Sequence, residues 1–240
     1  MLIGSVKNFM IAPRWRRVAE TGPAGKIWTE PIDNQEGSMK KIKLILASVV
    51  ALLFVSGAAP AQVVNMQAAP NFTLTDSHGQ NHSLSDYKGK FVVLEWFNPE
   101  CPFVKKHYNS GNMQKLQKEY TARGVIWLSI NSSATGKQGS FSPEGFNNFV
   151  TKKAASPTAV LLDTNGEVGH LYAAKTTPHM FIIDPQGILI YQGAIDDTAS
   201  SDMADVAGAK NYVKAALDEA MNGKLVAISM TKSYGCSVKY

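Results

Sequence analysis

The chain has 240 residues, 45% of them hydrophobic and 18% charged, a composition that allows one large globular domain or two small ones. The formal charge of +5 does not mark a nucleic-acid or anionic-membrane surface: 8 of the 24 Lys/Arg but only 4 of the 19 Asp/Glu precede residue 62. The remainder is close to neutral and carries no strong basic cluster.

The N-terminal excess has a specific pattern. Lys40, Lys41 and Lys43 follow Met39, an apolar run extends from Leu44 to Val55, and Ala59-Pro60-Ala61 follows. A positive start, a short apolar stretch and a small-x-small site are the pattern of a secretory signal peptide. The run is shorter than the roughly 20 apolar residues that span a bilayer. Residues 39–61 are expected to be a signal peptide, with an uncleaved membrane anchor or a buried helix as alternatives. Residues 1–38 then read as an upstream extension that is not native, with translation starting at Met39. Residues 62–240 form the exported domain, periplasmic or secreted, and membrane-bound only if the segment is uncleaved.

Within that domain, Asn71-Phe72-Thr73-Leu74 alternates like a half-buried strand, and Asp76 to Gly79 is its turn. Phe91 to Phe97 is a nearly continuous apolar run, as in a central strand covered on both faces. It ends at Asn98-Pro99, with Cys101-Pro102 close behind. Met113, Leu116 and Tyr120 keep helical spacing up to Gly124, and Ser110-Gly111-Asn112 predicts a break before them. Val125 to Ile130 is a strand. Ser142-Pro143-Glu144 is a helix start, with Phe146, Phe149 and Val150 on one face. Thr158 to Leu162 is another strand. Met180–Ile183 and Ile188–Tyr191 flank the turn sequence Asp184-Pro185-Gln186-Gly187 and read as a hairpin. A last helix is expected from about Ser201 to Met221, with Val206, Ala209, Val213, Ala216 and Leu217 inward. Strands alternating with helices, then a hairpin and a closing helix, predict an α/β fold with a central mixed sheet flanked by helices.

Cys101 stands where the central strand gives way to a helix. Free amides and the positive end of the helix dipole favour a thiolate there, and Lys105, Lys106 and His107 lie within the next turns. The alternative is a small buried hydrophobe. Cys236 lies in a Gly-containing tail where mobility is expected. The histidines, His78, His82, His107, His170 and His179, show no metal-ligand spacing with carboxylates or cysteines, and no cofactor is expected. Trp96, Phe97 and Trp127 read as core.

The segments Ala69-Pro70-Asn71-Phe72-Thr73-Leu74, Gly89 to Phe97 and Cys101-Pro102 resemble the opening of redoxins. Thr177-Pro178 with the Asp184-Pro185-Gln186-Gly187 hairpin resembles the thioredoxin cis-proline loop. Cys101 to His107, together with Gly235-Cys236-Ser237-Val238-Lys239, is closest to a peroxiredoxin-like branch carrying a domain of the alkyl hydroperoxide reductase and thiol-specific antioxidant type. The resemblance covers about residues 69–240. It implies a thioredoxin-like fold, a cis bond before Pro178, and a Thr177 backbone that pairs with a bound peptide or mixed disulfide beside the sulfur.

The chain departs from both patterns of that group. The second cysteine of a C-x-x-C motif is replaced by Val104. The peroxiredoxin Thr or Ser three residues before the reactive cysteine is Asn98, where the branch itself carries a further cysteine. The expected Arg before the Phe181-Ile182-Ile183-Asp184 strand is absent from Thr176-Thr177-Pro178-His179. Three readings follow. The first is a thiol–disulfide oxidoreductase with Cys101 as nucleophile, Thr177 and Pro178 shaping substrate contact, and Cys236 or an external thiol resolving. The second is a thiol peroxidase of antioxidant type, acting on peroxide through a sulfenic acid at Cys101. The third is a non-catalytic domain stapled by a Cys101–Cys236 disulfide. Partners are a protein or small-molecule thiol, disulfide or peroxide and a thiol reductant; no nucleic acid is expected.

Overall fold

The computed structural model describes residues 64–240. The readings of residues 1–38 as an extension and 39–61 as a signal peptide lie outside the described residues.

The domain is built on a seven-stranded sheet in the order β2-β1-β5-β4-β3-β7-β8. β1 (Thr73–Asp76) and β2 (Asn81–Ser83) form an edge hairpin, and β1 runs antiparallel to β5 (Ala159–Leu162). β5, β4 (Ile126–Asn131) and β3 (Val92–Trp96) are parallel, and β7 (His179–Ile183) and β8 (Leu189–Gly193) close the sheet antiparallel. Side chains alternate across a strand. Val92, Leu94 and Trp96 therefore enter the core that also holds Leu128, Ile130 and Phe181, while Val93 and Phe97 enter the opposite one with Trp127, Met180 and Ile182. Every residue of β3 is buried. Each large apolar side chain so buried contributes roughly 1.5–3 kcal/mol, which is why an unbroken apolar run belongs in the sheet's middle.

Helices α1 (Pro102–Asn109), α2 (Asn112–Ala122), α3 (Pro143–Lys153) and α5 (Tyr212–Met221) supply the Val93 core. The short α4 (Glu167–Leu171) supplies Val168 to the other. The break between α1 and α2 falls at Gly111, left-handed at φ 77°. Ser142 caps α3, its side chain accepting from Gly145 N at 3.1 Å. In the β7–β8 turn, Gly187 N donates to Asp184 O at 2.9 Å, and the Asp184 carboxylate accepts from Gln186 N and Ile188 N. This is a thioredoxin-like fold, a mixed sheet between helices.

The closing helix is shorter than the periodicity predicts. Met203–Val206 is a single 3-10 turn, Val206 and Ala209 are only half-buried, and α5 starts at Tyr212. Short polar side chains take the backbone amides that a longer helix would need. Asp202 accepts from Ala204 N at 2.9 Å, Asp197 from Lys210 N at 3.0 Å, and Asn211 from Lys214 N at 2.8 Å. Val213, Ala216 and Leu217 face inward as expected.

The tail beyond α5 is not the loose arm its glycines suggested. It runs beside β8, with Gln192 N donating to Ser229 O and Thr231 N to Gln192 O, both at 3.1 Å. It then forms β9 (Cys236–Ser237), antiparallel to β6 (Thr176–Thr177), in a separate two-stranded sheet.

Candidate active site

Cys101 is the N-cap of α1, reached from the end of β3 through Phe97 to Glu100. Its backbone N donates to Asn98 O at 3.0 Å, and its carbonyl accepts from Lys105 N at 2.9 Å. Pro102 occupies the first helical position, where its missing N–H costs nothing. The side chain is fully buried, at 0% exposure. The Thr177–Pro178 peptide is cis, and Cys101 Sγ donates to Thr177 O at 3.1 Å.

β9 places Cys236 directly opposite Thr177, and the two cysteines, 135 positions apart in sequence, become neighbours. Gly235 is required for this approach. It stands at φ +125°, and a Cβ there would lie 2.1 Å from Thr177 O. Both thiols are free.

The pair is electrostatically asymmetric. Burial pushes the Cys101 thiol up, but the neighbouring Cys236 thiol and the N–H groups of Val104 and Cys236 outweigh it and hold the thiol below its ordinary range. Val104 is the third residue of α1, so its amide is one of the helix's free donors. The Thr177 hydroxyl is buried and has no hydrogen-bond partner among the described residues. Cys236 moves the other way: burial, then the hydrogen bond and charge of Cys101, push it up to about 11.

Below the site, on the Cys101 side of β3, Glu95 is fully buried and accepts from four donors: Tyr108 OH at 2.9 Å, Gln117 Nε2 at 3.2 Å, Trp127 Nε1 at 2.8 Å and Ser129 Oγ at 2.9 Å. Burial holds its carboxyl above the usual carboxylate range despite these donors.

Of the three basic residues that closely follow Cys101, two are engaged with other partners. Lys105 is exposed. Lys106 is fully buried, with Nζ donating to Thr198 O at 2.9 Å and lying 3.6 Å from Asp196 Oδ2. His107 accepts at Nδ1 from Asn112 Nδ2 at 2.9 Å, which leaves Nε2–H to point at Tyr234 OH, 3.1 Å away. Burial lowers its pKa to about 4, so the ring is neutral. The Tyr234 hydroxyl donates to Asp196 Oδ1, and its ring packs on Phe103 and under Lys106 Nζ. Tyr234 thus ties the tail to α1 two residues before Cys236. Sequence reasoning passed over Asp196 and Tyr234. The available signal was the run Lys106-His107-Tyr108, polar residues on a short helix that has little exposed face.

His179 is not beside the sulfur. It lies in β7 on the opposite face, its ring 4.5 Å from that of Phe181, and burial lowers its pKa to about 4. Asn98, at the peroxiredoxin Thr position, is committed to the neighbouring loop: Nδ2 donates to Gln138 O at 3.0 Å and Oδ1 accepts from Glu100 N at 2.8 Å. Among the described residues, no three His, Cys, Asp or Glu side chains converge to hold a metal ion.

A thioredoxin-like domain with a buried, acidified cysteine at a helix N-terminus, a cis-proline and a second thiol in contact defines a redoxin. The chain belongs to the AhpC/TSA family, whose model matches residues 66–192. It is 31% identical over 122 residues to thiol-disulfide oxidoreductase ResA of Bacillus subtilis, covering 51% of this chain and 63% of that protein. The match thus spans less than two thirds of that relative. The Bacillus cereus protein of the same name is 28% identical over 165 residues, covering 64% of this chain and 89% of the relative. Among solved structures, an uncharacterized conserved protein from Geobacillus kaustophilus superposes with a TM-score of 0.63 at 27% identity, covering 74% of this chain and 92% of that one.

Proposed function

We propose that the protein is an exported thiol–disulfide oxidoreductase whose redox centre is the Cys101–Cys236 pair. The observation that carries this reading is the contact itself: β9 sets Cys236 over the buried Cys101, a thiol held toward the protonated form beside one held toward the thiolate. Such a pair closes to a disulfide when two electrons leave and reopens when a partner thiol delivers them. Cys101 is the thiolate of the cycle, stabilised by the Cys236 thiol and the Val104 amide of α1, and Pro178 fixes the loop that presents Thr177. The substrates are thiols or disulfides of proteins or small molecules, and an external thiol reductant returns the pair to the dithiol. The relatives named thiol-disulfide oxidoreductase support the same chemistry.

Equilibration of the protein with dithiothreitol or glutathione buffers, followed by acid quench and mass counting of free thiols, tests this. One two-electron transition above about −300 mV is expected; a pair lying below that value is a structural staple. A stopped-flow reaction with hydrogen peroxide much faster than free cysteine would instead favour peroxidase chemistry. Export rests on the residue 39–61 pattern. Protein recovered from the periplasm is expected to begin at Gln62; absence from the periplasmic fraction would refute the export reading, and an intact Met1 would refute translation from Met39.

A further inference from the structure

The edge of β6, beside the Cys101 sulfur, is where an incoming peptide would pair, and the chain's own tail already fills it. Thr177 lies opposite Cys236 and Thr176 opposite Ser237. Beneath this strand Cys101 is 0% exposed, whereas Cys236 is only partly covered and Ser237 beside it is exposed. Both sides of the strand are fastened. Before it, Tyr234 bonds Asp196 and His107. After it, Val238 N donates to Lys175 O at 3.2 Å, Ala134 N donates to Lys239 O at 2.8 Å, Tyr240 stacks on His170 at 3.9 Å, and its hydroxyl donates to Ala174 O at 2.8 Å.

Building on the exchange reading above, we infer that β9 is a built-in substrate strand, and that Cys236, rather than Cys101, is the sulfur at which external thiols and disulfides exchange. Cys101 makes and breaks a bond only with Cys236. With a dithiol partner the steps balance as follows. A partner thiolate attacks Cys236 Sγ, the Cys101–Cys236 bond breaks, and Cys101 leaves with the electron pair as a thiolate. The partner's second thiolate attacks its own sulfur in the mixed disulfide, and Cys236 leaves and takes up a proton. The dithiol has become a disulfide, two electrons have entered the pair, and the second of its two protons has gone to solvent. The asymmetry of the site fits this direction, because the sulfur with the lower pKa leaves faster. Partner choice then depends on the surface around Cys236, not on the β6 edge.

The test uses the wild-type chain with the disulfide formed. It is mixed briefly with glutathione, acid-quenched, blocked with N-ethylmaleimide and mapped by mass. Glutathione is expected on Cys236 in at least about tenfold excess over Cys101, because access selects the sulfur attacked. A majority on Cys101 overturns this inference and leaves the exchange function standing. No adduct with the disulfide intact overturns the exchange function, and the inference with it. A second arm compares single-cysteine chains treated with glutathione disulfide. Cys101 in Cys236→Ser should react at least about tenfold more slowly than Cys236 in Cys101→Ser, despite its more acidic thiol. A faster Cys101 would show that partners reach it directly.

Discussion

Asp196→Asn isolates the electrostatic anchor that holds the tail over Cys101. Asp196 is 2% exposed, and the ammonium of Lys106, 3.6 Å from Oδ2, is 0% exposed. At an effective dielectric constant of about 20, unit charges at that 3.6 Å separation attract by about 4.6 kcal/mol. His107 adds no charge because its pKa is about 4. The isosteric amide keeps an acceptor for Tyr234 but leaves Lys106 buried with no counter-charge, a change that typically costs about 3–5 kcal/mol. Urea unfolding of the reduced protein at pH 7 should show this loss. Lys106→Met in the same chain should recover most of it, since removing both charges of a buried pair is often neutral. A loss under about 1 kcal/mol, or no recovery in the double variant, would refute the assignment of a buried pair.

Three further outcomes follow from the same geometry. Cys236→Ala removes the neighbouring thiol that favours the Cys101 thiolate, and one hydrogen bond to a charged group is worth about 1.5–3 kcal/mol, so thiolate absorbance at 240 nm should titrate about one to two pH units higher; an unchanged midpoint would exclude that role. His107 and His179 are neutral until about pH 4 in the folded chain, whereas unfolded histidine protonates near 6.5. The unfolded state therefore binds more protons between these values, and stability falls with falling pH, by about 3 kcal/mol per histidine; His179→Asn should flatten the slope of urea stability against pH. Glu95→Leu strands four buried donors and should cost about 3–5 kcal/mol, against a much smaller loss for Glu95→Gln, measured by the same unfolding assay.

Local pattern was enough for most of the framework. The apolar run through Leu94, the Gly111 break, the Ser142 cap and the Asp184–Gly187 turn each depend on neighbours within a few residues, so propensity and period report them. Helix existence at 212–221 was legible too. Its start was not, because Asp202, Asp197 and Asn211 compete for backbone amides in ways a hydrophobic period does not record. The site divides along the same line. Cys101 at the end of a buried strand, followed by Pro102, is a local fact, and it points to a thiolate from sequence alone. The position of Cys236 over it is not. That depends on a strand pairing with Thr177 across the fold, on a glycine that lets the two backbones touch, and on a Lys106–Asp196–Tyr234 cluster joining segments about 130 positions apart. Such contacts form only once the sheet has brought α1, the β8 edge and the tail together. The sequence by itself placed Cys101 at a helix start, and the tertiary structure decided which thiol lies over it, because a strand-to-helix junction is set locally while covering a sulfur requires a distant strand.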